Sequence, residues 1–264
     1  MALLERSPQS LAPQVEEPAP DRAPDAIAAG VAQPLRGELE ALLGADRVLA
    51  KAGDIVKYAS DASPYRLFPR AVVMAHDAED VAKVLAYGGE KGIPVTFRAG
   101  GTSLNGQGQS DGILVDVRRH FGGVAVEPEE PREGGAEIEA AAARVKPGTV
   151  LGHANRVLAP YGRKLGPDPA STDIACVGGV IANNSGGMRC GTTKDSYSTV
   201  RSLTFVLPSG TVIDTAAPGA AEKFAAAEPE LAAGLAAIRD ELRADAELSE
   251  RVRRKFAIKN TTGY

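Results

Sequence analysis

The stretch TFRAGGTSLNGQGQSDGILVDV, residues 96–117, sets five glycines and two serines between two apolar runs that read as strands. Glycine loses more conformational freedom on folding than any other residue, so this run implies a backbone requirement. Either the chain turns sharply there, or it brings consecutive N–H groups against an anion. Two common phosphate loops fail the spacing. No lysine follows these glycines in the register of a Walker loop. After Gly106 and Gly108, Asp111 stands where a dinucleotide fingerprint needs its third glycine, and a strand follows rather than a helix. What remains is a nest over Gly100, Gly101, Thr102, Ser103 and Leu104, with hydroxyls to help and Arg98 adding charge or holding the loop's shape. A plain glycine-rich turn between strands is the competing reading.

Upstream, residues 70–101 read strand–helix–strand. A strand at 72–75 leads to Asp77 as a helix cap, with Glu79 and Asp80 in the first turn where the dipole favours acids. Val81, Val84 and Leu85 form the apolar stripe of that helix, and Gly88, Gly89 and Gly92 mark its end. Strands follow at 95–97 and 113–117. An amphipathic helix at 35–43 and a polar loop with aromatics at 58–69 precede them. Downstream, a strand pair at 122–128 and 137–148 flanks an acidic loop. A helix then carries Val150, Leu151, Ala154, Val157 and Leu158 on one side, and 200–215 reads as a hairpin turning at Pro208-Ser209-Gly210. Alanine-rich helices fill 220–256, broken near Pro229, and no internal repeat occurs.

A second glycine block, GPDPASTDIACVGGVIANNSGGMRCGTTKDSY at 166–197, pairs Gly178-Gly179 with Gly186-Gly187 around VIANNS. Paired glycines let backbone approach a flat ligand, and Asn183, Asn184 and Ser185 carry donors for ring carbonyls. Packing through small residues is the alternative. The mixture of parallel and antiparallel signals argues an α+β fold of two subdomains, about 50–119 and 120–215, with the two blocks meeting on one ligand. Residues 1–34, rich in proline, alanine and acids, read as a disordered tail, and 220–264 as a helical extension.

With 264 residues, 44% hydrophobic and 24% charged, the chain has the composition of a soluble globular protein. A net charge of −4 gives no electrostatic case for nucleic acid. No apolar run spans a bilayer, and the N-terminus lacks a basic start and an apolar core of a secretory signal. A cytoplasmic location is expected. The basic run RVRRKFAIK, 251–259, reads as a solvated helix end, with contact to the inner membrane face or a neighbouring domain as the alternative. Cys176 and Cys190 form no C-x-x-C pair, so no zinc or iron–sulfur site is expected. His76, His120 and His153 have no neighbouring histidine or carboxylate cluster in the sequence pattern and read as surface or packing residues. Cys190 reads as a small buried residue within the second block.

The string from Tyr58 to Gln107, the second block, the hairpin and KNTTGY at 259–264 together resemble the FAD-binding domain of the vanillyl-alcohol oxidase superfamily, also called p-cresol methylhydroxylase-like FAD-linked oxidases. Within it the chain looks most like the D-lactate dehydrogenase and glycolate oxidase branch, in particular the large proteins whose FAD domain precedes an iron–sulfur region. The resemblance covers residues 50–264. It implies a two-subdomain FAD-binding fold with FAD in the cleft between the subdomains. Arg98, Gly100, Gly101, Thr102, Ser103 and Leu104 would wrap the FAD pyrophosphate, with Gln107 beside them. Pro167, Asp168 and Ser171 would lie near the flavin or its ribityl chain. Gly178, Gly179, Ala182, Asn184, Ser185 and Gly187 would line flavin and diphosphate, and Gly191, Thr192 and Asp195 the outer part of the site.

Several members of the superfamily attach FAD through a histidine after the first glycine pair. Here that position is Thr102, so non-covalent FAD is expected. The resemblance further implies oxidation of a 2-hydroxy acid such as D-lactate or glycolate, with electrons leaving to a cytochrome, quinone or iron–sulfur acceptor. The family's base and carboxylate clamps lie in a substrate domain after the TTGY motif. That domain is expected to be absent, the chain to be incomplete by itself without a catalytic residue, and any iron–sulfur cluster to belong to a missing C-terminal region. Lys259, Asn260 and Tyr264 would border the site. The alternatives are an NADPH-dependent flavin reductase of the same fold and a non-catalytic flavin-binding subunit.

Overall fold

The computed structural model describes residues 24–129 and 139–258. Its centre is a four-stranded sheet in the order β1-β2-β4-β3, formed by β1 (Val48–Leu49), β2 (Ala71–Met74), β3 (Val95–Arg98) and β4 (Ile113–Asp116). β2 and β3 flank β4 in parallel, with Val72 and Thr96 both opposite Leu114, while β1 closes one edge antiparallel. Every residue of β2 and β4 is buried, Asp116 at the end of β4 included, as the apolar runs 71–74 and 113–115 require when a parallel sheet is covered on both faces. The crossover between β2 and β3 is α3 (Ala78–Lys91), capped by the Asp77 carboxylate accepting from Asp80 N–H at 2.9 Å.

α3 stops at Gly92, whose left-handed backbone (φ 63°) receives the last turn. Gly88 and Gly89 do not end it, contrary to expectation: both lie within the helix. Gly88 is there for packing, since a Cβ would come within 2.4 Å of Val95 Cγ2.

α1 (Leu35–Leu43) packs Leu35, Leu39 and Leu43 onto the same core. The short α2 (Ala52–Tyr58), which buries only Ile55, had too little periodicity to announce itself. Of the expected tail, residues 1–23 lie outside the described residues. Beyond them order begins earlier than expected: Asp25–Ile27 forms a 3-10 turn, and Val31, 5% exposed, joins the core because Ile27 and Val31 give this stretch an apolar anchor.

The second region starts with the antiparallel pair β5 (Val124–Glu129) and β6 (Glu139–Val145). The acidic loop between them and the KNTTGY motif lie outside the described residues. α4 (Leu151–Leu158) buries Leu151, Ala154 and Leu158, and Leu151 shares a small core with Ala175 and Val180. α5 (Val177–Ala182) and the one-turn α6 (Ser196–Thr199) carry the second glycine block. The hairpin of β7 (Thr204–Val206) and β8 (Val212–Asp214) folds back onto the first region, where Val206 packs on its core and Gly210 sits against Ala82 of α3. Three helices follow, α7 (Ala220–Ala227), α8 (Pro229–Ala244) and α9 (Ala246–Phe256). The break at Pro229 is joined by an unexpected second one at Asp245, which caps Leu248 N–H at 2.8 Å. None of the three buries a residue, and no described helix is long and apolar enough to cross a membrane.

Candidate functional site

The first glycine block leaves the C-terminal end of β3, where ligands of open parallel sheets commonly sit. Its shape is set by Arg98. The guanidinium donates to Gly108 O at 3.0 Å and to Ser60 O at 2.7 Å, and it lies flat against Gly101. A Cβ on Gly101 would come within 2.5 Å of Arg98 Nε, and Gly101 has φ 64°, so only glycine fits. Arg98 therefore holds the loop's shape and spends its donors on protein carbonyls. Ser103 also works inward, its hydroxyl bonded to Gln107 Oε1 and accepting from Asn105 N–H at 3.2 Å. By contrast, the N–H groups of Gly100, Gly101, Thr102, Ser103 and Leu104 make no hydrogen bond to any described residue. Five consecutive unpaired donors beside a cleft form an anion-binding concavity.

The second block meets the first directly. A Cβ on Gly100 would lie 2.6 Å from Ile174 O and 3.2 Å from Ala175 Cα, so the two backbones touch. In α5, Gly178 packs against Pro147, whereas Gly179 faces open space. Buried Ser196 fastens the block, its one hydroxyl proton shared between Val180 O at 2.9 Å and Ser185 O at 2.8 Å.

Between the blocks runs a cleft of about 2440 Å³. It brings together Arg98, Gly100 to Leu104, Gln107, Pro167, Ser171, Gly178, Gly179, Ala182 and Ser185. Asp168, Asn184, Gly187, Gly191, Thr192 and Asp195 are not on its wall, and they hold the block's shape instead. Asp168 accepts from Arg189 N–H and Cys190 N–H, with Gly187 packed against its carboxylate. Asn184, at φ 42°, accepts from Tyr197 N–H, Asp195 caps α6, Thr192 O accepts from Ser198 Oγ, and Gly191 turns with φ 57°. Cleft residues that the motifs did not reveal include Arg144, Lys146, Lys164, Lys194 and Arg201. Against them the described lining holds only Asp77 and Glu127 as acids, a positive bias that a charge of −4 for the chain conceals.

A family described as FAD binding domain matches residues 69–216, more than half of the chain and inclusive of both glycine blocks. The chain belongs to that family. Curated relatives include the D-2-hydroxyglutarate dehydrogenase of Pseudomonas putida, 34% identical over 55% of this chain and 14% of the relative. The glycolate oxidase subunit GlcD of Bacillus subtilis is 32% identical over 63% of this chain and 34% of its own length. The D-lactate dehydrogenase of Archaeoglobus fulgidus is 30% identical over 60% and 34%. The chain thus spans between about a seventh and a third of these relatives. Among solved structures, p-cresol methylhydroxylase superposes with a TM-score of 0.55 at 22% identity, covering 70% of this chain and 36% of that one. Alkyldihydroxyacetonephosphate synthase gives 0.58 at 19%, covering 76% and 36%. These likenesses establish the α+β p-cresol methylhydroxylase-like fold.

The FAD binding domain presents residues that fit its cofactor. A diphosphate needs donors and positive potential, and the row of free N–H groups beside Arg98 and the cleft bases supplies both. A flat ring needs backbone without side chains, and Gly179 leaves that space open. Burial lowers the Arg98 pKa from its ordinary value, opposed by Asp61, Tyr58 and Asp116, and the group stays cationic. Burial tends to raise the Asp61 pKa, yet hydrogen bonds from Ser63 and Gln109, with the Arg98 charge, hold it below the carboxylate norm. Tyr58, half-buried and bonded to the Asp116 carboxylate, has its phenol pKa raised strongly, so it remains a neutral donor.

One expectation is corrected. His76 and His120 do neighbour each other, with ring centroids 3.8 Å apart, because the parallel pairing of β2 and β4 brings the ends of two distant segments together. Among the described residues no group of three or more metal-binding side chains exists. Cys190 is buried, and its thiol lies 3.2 Å from Gly191 O and 3.6 Å from Gly187 O within the block.

Proposed function

We propose that this chain is the flavin-holding part of an oxidoreductase acting on a 2-hydroxy acid of the D-2-hydroxyglutarate, D-lactate or glycolate kind, with electrons leaving to a protein or quinone acceptor. The observation that carries this reading is the row of unpaired N–H groups from Gly100 to Leu104, facing Gly179 across one cleft. The activities of the curated relatives support the substrate class. FAD, when bound, supplies the two-electron redox chemistry. The chain's own part is to bind and orient it. Gly100 to Leu104 would donate to the diphosphate, Arg98 keeps those donors aligned, and Gly179 and Ala182 would offer a face without bulk to the ring system. Leu151 and Val180, both buried, and Val177 packed against them give that face an apolar backing. Thr102 has no nucleophilic nitrogen, so the cofactor is held without a covalent bond.

The test is FAD titration of the purified chain by flavin fluorescence, followed by acid precipitation and anaerobic addition of substrates to the protein. The reading expects saturable FAD uptake and yellow colour in the acid supernatant from this chain, and bleaching of the flavin band by a 2-hydroxy acid once a substrate-binding region of the relatives' kind is supplied with it. No FAD uptake refutes it. Bleaching by NADPH alone replaces the substrate class with that of a flavin reductase.

A further inference from the structure

Residues 60–65 lie ahead of the matched family region and off the cleft wall, yet the first glycine block is built on them. Ser60 O receives the Arg98 guanidinium, and Ala62 N–H donates to Gly101 O at 3.0 Å. What keeps this segment in place is Gln109, 5% exposed, at the exit of the glycine loop. Its Nε2 lies 2.8 Å from Asp61 Oδ1, 3.1 Å from Ser63 Oγ and 2.8 Å from Tyr65 O. Asp61 Oδ1 also accepts from Ser63 N–H at 2.9 Å, and Asp61 Oδ2 sits beside Gly108, a Cβ there coming within 3.4 Å of it. Among the described residues, Asp61 Oδ2 and Gln109 Oε1 in this arrangement have no hydrogen-bond partner. With three acceptors of residues 61–65 gathered around one amide nitrogen, this contact fixes where the segment sits against the loop.

We propose that Asp61 and Gln109 are positioning residues for the FAD diphosphate. They clamp residues 60–65 to the loop's exit, which puts Ser60 O and Ala62 N–H where Arg98 and Gly101 meet them, and so aligns the five free N–H groups. Neither residue reaches the cleft, and both act through Arg98 and Gly101. The inference rests on the reading that this row takes the diphosphate of FAD.

FAD dissociation constants by fluorescence quenching, paired with melting temperatures of the FAD-free chain, test it. Gln109→Ala raises the FAD Kd by about tenfold, a loss beyond what any change in melting temperature accounts for. Gln109→Glu, which lacks the amide donor, fails in the same way. Asp61→Ala matches them, while Asp61→Asn keeps the Oδ1 acceptor and holds FAD within about threefold of the parent. Should Gln109→Ala not fold, Ser63→Ala removes one acceptor of the clamp and raises the Kd by about threefold. Variants that lower the melting temperature but bind FAD as the parent does overturn the inference and leave the function standing. Wild-type affinity in Gln109→Glu does the same. A parent chain that binds no FAD overturns the function itself.

Discussion

The two glycine blocks share a composition and use it in opposite ways. In the first, Gly101 lies against a side chain, the Arg98 guanidinium, and the main chain around it keeps its donors free. In the second, glycines press against backbone and capping groups. Gly187 sits on Asp168, Gly178 on Pro147 and Gly166 on Lys194 O, and the polar side chains are consumed in holding the turn. One block is a donor surface and the other a packed support with two open glycines, Gly179 and Gly191, of which Gly179 lies on the cleft wall. Glycine content therefore marks where backbone comes close to something without saying whether that something is ligand or protein.

This contrast breaks most readily at Gly187. A Cβ would fall 1.8 Å from Asp168 Oδ1 and 2.2 Å from its carbonyl, and the backbone oxygen cannot swing away. Gly187→Ala is expected to cost about 3 kcal/mol in urea unfolding. Gly100→Ala strikes the seam between the blocks, where Ile174 O is 2.6 Å away. It is expected to cost about 2 kcal/mol and to weaken FAD binding at the same time, read by unfolding and fluorescence titration together. Gly179→Ala separates the two roles, because nothing lies within 4 Å of the added methyl. Within α5 alanine is the better helix former, so stability holds or rises by up to about 1 kcal/mol while the FAD Kd climbs about tenfold. Equal FAD affinity in this variant would remove Gly179 from the site.

The smallest effect concerns the histidine pair beneath the first block. Burial, then the charges of His76, Arg119 and Arg47, lower the His120 pKa. The unfolded chain thus takes up the proton first. The neutral His120 favours folding above its ordinary value of about 6.5, and that advantage fades as pH falls through 6.5 toward the lowered folded value. Melting temperatures are expected to decline slightly between pH 7.5 and 5.5, with His120→Gln flattening the slope.

Much of the architecture follows from local patterns. The apolar runs at 71–74 and 113–115 read as strands, and Asp77 with Gly92 brackets the helix between the first of them and β3. The site was legible in the same local way at Gly100 to Leu104, because a row of donors is a property of one continuous segment. Asp168, Asn184 and Asp195 sit in the second block, yet their side chains turn inward as caps. Composition cannot distinguish a carboxylate aimed at a ligand from one accepting main-chain N–H groups. The bases Arg144, Lys164, Lys194 and Arg201 come from β6 and from loops spread over nearly sixty positions, so nothing local announced their convergence.

By itself the sequence determined the alternation of strand and helix, the caps, and the two places where backbone is bared, since these depend on neighbours within a few residues. The tertiary structure decided which bared backbone faces a cleft and which faces protein. It also decided that Gln109 and Asp61, 48 positions apart, share a hydrogen bond, and that the rings of His76 and His120 meet. Those outcomes depend on parallel pairing across β4 and on the close approach of Gly100 to Ile174, contacts whose partners lie far apart along the chain and meet only once the sheet has formed.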